Sequence, residues 1–156
     1  MNEDRRKVLK STGGMAVMGL ALSAGLFKPG SAWAQTWNKD AFATKDTAAT
    51  VKAMGGTTAA ESKDIVITSP DIAENGAVVP FTISSTLPKT ESIALLVEKN
   101  PNVLAANFNI PAGTDPGVTT RVKMGQTSNV TALVKADGKF YYTTKEVKVT
   151  LGGCGG

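Results

Sequence analysis

From Ile65 onward the apolar residues recur at every second position, and this period decides what the chain can fold into. Successive side chains of an extended strand point to opposite faces, so short runs with a period of two mean strands with one face buried. Ile65 and Ile67 open the first run, which Pro70 closes. Ala77, Val79, Phe81 and Ile83 then alternate with Val78, Pro80, Thr82 and Ser84. Proline cannot donate to a ladder, so this strand is expected at a sheet edge or with a bulge at Pro80. Ile93, Leu95 and Val97 form the next run, and because Leu96 is also apolar the strand reads as covered on both faces. Asn100, Pro101 and Asn102 make a turn, Val103 to Ile110 follows, and Pro111 to Gly117 is a loop. Val118, Thr120, Val122 and Met124 face one way while Thr119, Arg121 and Lys123 face the other. Val130, Ala132 and Val134 alternate with Thr131, Leu133 and Lys135 up to Asp137 and Gly138, a dipeptide of tight hairpins. The last run, Phe140 to Leu151 with a break expected near Thr143, turns Val147, Val149 and Leu151 inward and Lys148 and Thr150 outward. About seven short strands, with Gly, Pro and Asn turns and no helical period between them, predict a mainly β fold: an antiparallel β-sandwich of immunoglobulin-like type.

Ahead of the strands the period changes. Asp46 is placed to cap a helix from Thr47 to Met54, which Gly55 and Gly56 terminate, and Thr36 or Asn38 caps a shorter turn through Ala43. Ala48, Val51 and Met54 are spaced to share one face. Trp37 and Phe42 read as packing residues that pin this segment to the core, rather than as ligand contacts. Tyr141 and Tyr142, adjacent on a strand, point to opposite faces; one is expected in the core and the other on the surface, with an interface patch as the alternative. Arg121 is the sole arginine after residue 34 and reads as part of a solvated face, with an anionic ligand as the competing reading.

The first 34 residues read as an export signal. Arg5 and Arg6 begin a basic stretch, RRKVLK, followed by an apolar run from Met15 to Phe27, which at thirteen residues is too short to span a bilayer. Ala32, Trp33 and Ala34 supply an A-x-A cleavage site before Gln35. The paired arginines make it similar to a twin-arginine signal, although Val8 stands where phenylalanine is commoner, and an ordinary secretory signal is the alternative. The destination implied is a bacterial periplasm. No cysteine stands at the cleavage site, so no membrane anchor is expected. The segment holds five of the 17 basic residues and two of the 13 acids, so its removal leaves 12 and 11. The basic character of the precursor therefore belongs to the signal, which removes nucleic acid and anionic membranes as expected partners. The remaining chain suits one domain: 35–56 a helical segment, 57–151 the β-sandwich, and 152–156 a glycine-rich arm.

That arm is Gly152, Gly153, Cys154, Gly155, Gly156, and it holds the single cysteine of the chain. Four residues without side chains around one thiol make a thin arm able to enter a narrow cleft, and the competing reading is a frayed end with an incidental cysteine. No intrachain disulfide can form, so in an oxidising compartment the thiol either pairs with another molecule, a disulfide-linked dimer included, or stays reactive. The chain has no histidine, which excludes a cysteine–histidine nucleophile pair and a histidine metal site built from this chain alone. Met54 and Met124 are too few for a thioether copper site, and no phosphate loop or paired-carboxylate motif occurs. No metal and no catalytic residue is expected. Lys148, six residues back, is the cation nearest Cys154 in sequence, so nothing local lowers the thiol pKa. Ordering five such residues costs on the order of 5–10 kcal/mol, which favours transient docking of the arm.

The ending VKVTLGGCGG, Val147 to Gly156, resembles the C-terminal signature of SoxY, the sulfur-carrier subunit of the periplasmic thiosulfate-oxidising Sox system. The segment IAENGAVVPF, Ile72 to Phe81, resembles the early strand pair of that family, and the resemblance covers essentially the whole precursor. It implies that Cys154 is the covalent attachment point, conjugated oxidatively to thiosulfate by a haem protein to give a cysteine S-thiosulfonate. A hydrolase then releases sulfate, and further enzymes oxidise the sulfane sulfur left behind. The resemblance implies SoxZ, a smaller β-sandwich, as heterodimer partner, no cofactor other than the sulfur carried on Cys154, and no catalysis by the chain itself. Two other classes stay open on the residues: an exported structural module cross-linked through its terminal cysteine, and a cysteine-dependent enzyme whose base comes from another chain.

Overall fold

The computed structural model describes residues 38–150. Thr36, Trp37, Leu151, the export signal with Arg5, Arg6, Ala32 and Ala34, and the arm Gly152, Gly153, Cys154, Gly155, Gly156 lie outside the described residues.

Two short helices come first. In α1 (Lys39–Phe42) the Asn38 side chain accepts from the Ala41 amide at 3.0 Å, and in α2 (Thr47–Ala53) Asp46 accepts from Ala49 at 2.7 Å, each satisfying an amide that the helix start leaves unpaired. Asn38 also donates to the Ala53 carbonyl at 2.9 Å, tying the two helices together. Gly55, at φ +89, terminates α2 as expected. The buried face differs from the expected one: Thr50 and Val51 are buried whereas Ala48 is exposed. Thr50 tolerates burial because its hydroxyl bonds to the Asp46 carbonyl at 2.9 Å and to the Thr44 hydroxyl at 2.6 Å.

Nine strands follow: β1 (Ala59–Glu61), β2 (Ile65–Thr68), β3 (Ile72–Ala73), β4 (Val79–Ser85), β5 (Thr90–Val97), β6 (Leu104–Asn109), β7 (Gly117–Val122), β8 (Ser128–Ala136) and β9 (Lys139–Val149). Seven of them have four residues or more, the number that the alternation predicts. The large sheet has the order β1-β9-β8-β5-β6, with β3 also paired to β9, and the small sheet has the order β2-β4-β7. All the long pairings are antiparallel, while β1 and β3 join β9 in parallel.

Period two fills the space between the sheets. Val79, Phe81 and Ile83 of β4 and Ile65 of β2 meet Ile93, Leu95 and Val97 of β5, Val130, Ala132 and Val134 of β8, and Val147 of β9. The other face of the large sheet is also covered, as the run Ile93–Val97 predicts: Ala94, Leu96, Leu104, Leu133 and Phe140 pack with Ala41 and Val51 of the helices. Residues 38–150 are therefore three layers, with the large sheet in the middle. This explains the tyrosine pair. Tyr141 packs against the first core and Tyr142 against the second, so neither is the surface residue expected from a two-layer sandwich.

Two local expectations change, and that for Pro80 is met only locally. Pro80 lies on β4, the central strand of the small sheet, but pairing with β2 stops at Thr68–Thr82, so at Pro80 only β7 runs alongside, through Arg121. Ala77 is exposed, and the strand starts at Val79. The break near Thr143 is absent: β9 is continuous, and its register with β8 runs uninterrupted from Ser128–Val147 to Ala136–Lys139. The turn between those strands has Asp137 at φ +48 and Gly138 at φ +73, the mirror-image geometry that suits a right-twisted hairpin.

Candidate functional site

The strand that leads toward Cys154 is fixed to its last described residue. Val147 is fully buried and Val149 half-buried, so the inward-facing side chains of β9 anchor it to the sandwich core. The backbone is held as well. The amide of Lys148 donates to the Asp71 carbonyl at 2.9 Å, that of Val149 to the Thr127 hydroxyl at 2.9 Å, and that of Thr150 to the Ala73 carbonyl at 3.1 Å. β3 and Asp71 just before it supply two of these acceptors, because β3 lies parallel to the end of β9, Ile72 opposite Lys148 and Ala73 opposite Val149.

The segment around β3 is held in turn. Lys145, inside β9, reaches back to the Asp71 carboxylate at 2.9 Å and to the Ser69 carbonyl at 2.8 Å. The hydrogen bond from Lys145, and then its charge, keep the Asp71 carboxyl below its ordinary pKa, against a small opposing effect of burial. Beyond β3 the Asn75 side chain accepts from the Ala77 amide at 2.9 Å, closing a turn, and the Gly76 carbonyl accepts from the Met124 amide at 2.7 Å. A Cβ at Gly76 would lie 2.5 Å from the Met124 carbonyl oxygen and 2.7 Å from Val149 Cγ1, so only glycine allows this loop to close on the strand. Residues 71–78 thus form a clasp around the end of β9.

The segment IAENGAVVPF, which resembles an early strand pair, holds β3 and the start of β4, and its first half belongs to this clasp. Asn75-Gly76 is a turn signal visible in the sequence. The contribution of Asp71, Thr127 and Lys145 is not, because each partner lies more than twenty residues away. Arg121 is exposed on the outer face of the small sheet, with the hydroxyls of Thr82 and Thr119 beside it, 3.0 Å apart. The groove between α2 and the large sheet, about 510 Å³, presents one carboxylate, Glu98, already engaged by Asn129 at 3.0 Å. Among the described residues no group of three potential metal ligands occurs.

Fold and site together define a class: a small β-sandwich whose last strand is clasped to its end and runs on into a segment bearing the chain's only thiol. The family model described as "Sulfur oxidation protein SoxY" matches residues 50–154, a span that includes the first core, all of the second but Ala41, the clasp and Cys154. The chain belongs to the SoxY family. The sulfur carrier protein SoxY from Chlorobium limicola f thiosulfatophilum is 35% identical, with a TM-score of 0.58, over 65% of this chain and 94% of that one. Superoxide reductase (neelaredoxin) from Ignicoccus hospitalis is 19% identical over 55% of this chain and 80% of its own, with a TM-score of 0.50, a likeness of fold alone. No curated protein sequence matches.

Proposed function

We propose that the protein is a covalent sulfur carrier of a thiosulfate-oxidising system, holding its cargo on the thiol of Cys154 while partner enzymes act on it. The observation that carries this reading is a family match that reaches Cys154, four residues beyond Thr150, up to which the structure shows the chain clasped. A carrier needs a defined origin for its thiol and no chemistry of its own. The body supplies the first, and a chain without histidine offers no general base of the usual kind beside the sulfur.

The reactions balance with partners supplying the redox and hydrolytic steps. In loading, Cys–SH and thiosulfate form Cys–S–S–SO3⁻, releasing one proton and two electrons to a haem protein. The Cys154 S–H bond breaks and a sulfur–sulfur bond forms. In hydrolysis, water attacks the sulfonate sulfur, the S–SO3 bond breaks, and sulfate and two protons leave a persulfide anion on Cys154. The sulfane sulfur is then oxidised by a further partner. Gly152, Gly153, Gly155 and Gly156 keep the chain on either side of Cys154 free of side chains, which suits entry into a cleft. Arg5, Arg6 and the A-x-A site at Ala32 and Ala34 support export to the periplasm by the twin-arginine route, and family membership supports a SoxZ-like β-sandwich as stable partner.

Cys154→Ser in a reconstituted system tests the reading. Thiosulfate-dependent reduction of the haem partner is expected to be lost, with the thermal midpoint of the variant within about 1 °C of wild type, because both cores form from earlier residues and Cys154 follows the last clasped residue, Thr150, by four positions. Undiminished activity in the variant would contradict the assignment. Loss of folding would instead make the tail structural, the role required by a cross-linked module.

A further inference from the structure

We propose that the clasp loop, through the exposed side chains of Ile72 and Val78, is the docking surface for the enzymes that act on the sulfur of Cys154. The proposal rests on the carrier reading above and adds to it the place where the body is touched.

Reach sets the first condition. Thr150 is fixed to the Ala73 carbonyl, and Cys154 follows four residues later, so the thiol lies within roughly 14 Å of Thr150 even at full extension. An enzyme that takes the thiol into a cleft of comparable depth must bring the mouth of that cleft against the surface around Thr150. The loop 72–78 occupies that surface, because β3 is the strand paired with the last residues of β9.

Burial parity sets the second. Ala73 and Val79 face the core at 5% and 0% exposure, which forces their neighbours Ile72 and Val78 outward. Those neighbours are nonetheless apolar and stand 56% and 51% exposed, and with Val66 at 53% they are the large apolar side chains most exposed among the described residues. Isolated exposed apolar residues are ordinary. Two in one loop, at the point where reach demands contact, are the composition of a contact surface. The loop is also rigid in its bonding: Lys145 holds Asp71, the Asn75 turn holds Ala77, and Met124 holds Gly76, so docking orders little that is not already ordered. Asp71 is paired with Lys145, and Glu74 is the other carboxylate of this loop. The fitting partner is therefore an enzyme whose cleft mouth is rimmed by apolar side chains. A loop of seven residues is far smaller than the roughly 800 Å² per partner of a stable complex, so the surface suits serial, transient visits rather than the permanent subunit.

The test uses the full mature protein with its β-sandwich partner. Cys154 is loaded with tetrathionate, whose central sulfur the thiolate attacks to give Cys–S–S–SO3⁻ and free thiosulfate. Sulfate release by the purified thiosulfonate hydrolase is then followed for wild type, for Ile72→Glu with Val78→Glu, and for Val66→Glu, a control toward the far end of the small sheet. Serine replacements at 72 and 78 serve if the glutamates lower the thermal midpoint. The expected result is a KM raised about tenfold in the double variant, the usual scale for removing apolar contacts at a docking site, with kcat, tetrathionate loading and the Val66 control unchanged. Wild-type kinetics in the double variant would overturn the docking surface and leave the carrier reading standing. No sulfate release from loaded wild type would remove the carrier reading and this proposal with it. Weakened binding of the permanent partner with an unchanged KM would give the loop to that interface and overturn the proposal.

Discussion

At Gly76 there is no space for a methyl group, because the nearest atom is a backbone carbonyl oxygen that no rotamer change can move. Gly76→Ala is therefore expected to destabilise by about 1–3 kcal/mol, as overpacking does, read as a lower urea midpoint at unchanged slope. Asp71 is a milder case. Its carboxyl is depressed by Lys145, so its ion pair contributes above the ordinary value of 3.8 and is lost as the pH falls through the lower folded-state value. The pair is exposed on the aspartate side, so the effect is small. Asp71→Asn is expected to lower the thermal midpoint slightly at neutral pH, with the gap closing as the pH drops below 3.8; a gap that persists in acid would mean that the side chain matters for its shape. At this scale the sequence was most legible where a residue type is rare: one cysteine, no histidine, four flanking glycines. It was opaque where meaning depends on a distant partner, as Lys145 does on Asp71.

Among the elements, β9 joins the parts. It pairs with β8 along its length, with β1 near its start and with β3 at its end, and it lends side chains to both cores. Alternation revealed the long strands because each has a face turned to the space between the sheets. It missed β1 and β3, which at three and two residues are too short to show a period, and which pair in parallel with a strand some eighty residues away. It also expected a break at Thr143, because the apolar pattern lapses there, whereas the ladder to β8 carries the strand through. The clasp makes an element-level prediction. Lys145→Met is expected to speed hydrogen exchange at the Lys148 and Thr150 amides, whose acceptors belong to the loosened segment, while amides paired between β8 and β9 keep their protection. Exchange unchanged at those two amides would show that β3 holds without the lysine.

Over the whole molecule, the layer count is what the sequence left incomplete. A helical segment followed by about seven strands was readable, and so was a β5 buried on both faces; that the helices supply the second cover follows only from the contacts of Val51 and Ala41 with Leu96, Leu133 and Phe140. This third layer buries the second face of the middle sheet, and the bonds at Lys148, Val149 and Thr150 fix the point from which the chain leaves it. The body thereby bounds how far Cys154 can reach, and under the proposed function the chemistry falls to the enzymes that meet it. Intact-mass and peptide mass spectrometry of the mature protein from cells oxidising thiosulfate tests this most directly. The account predicts reductant-labile thiosulfonate or sulfane additions confined to Cys154; only a free thiol or a stable cross-link to another protein at that residue would contradict it.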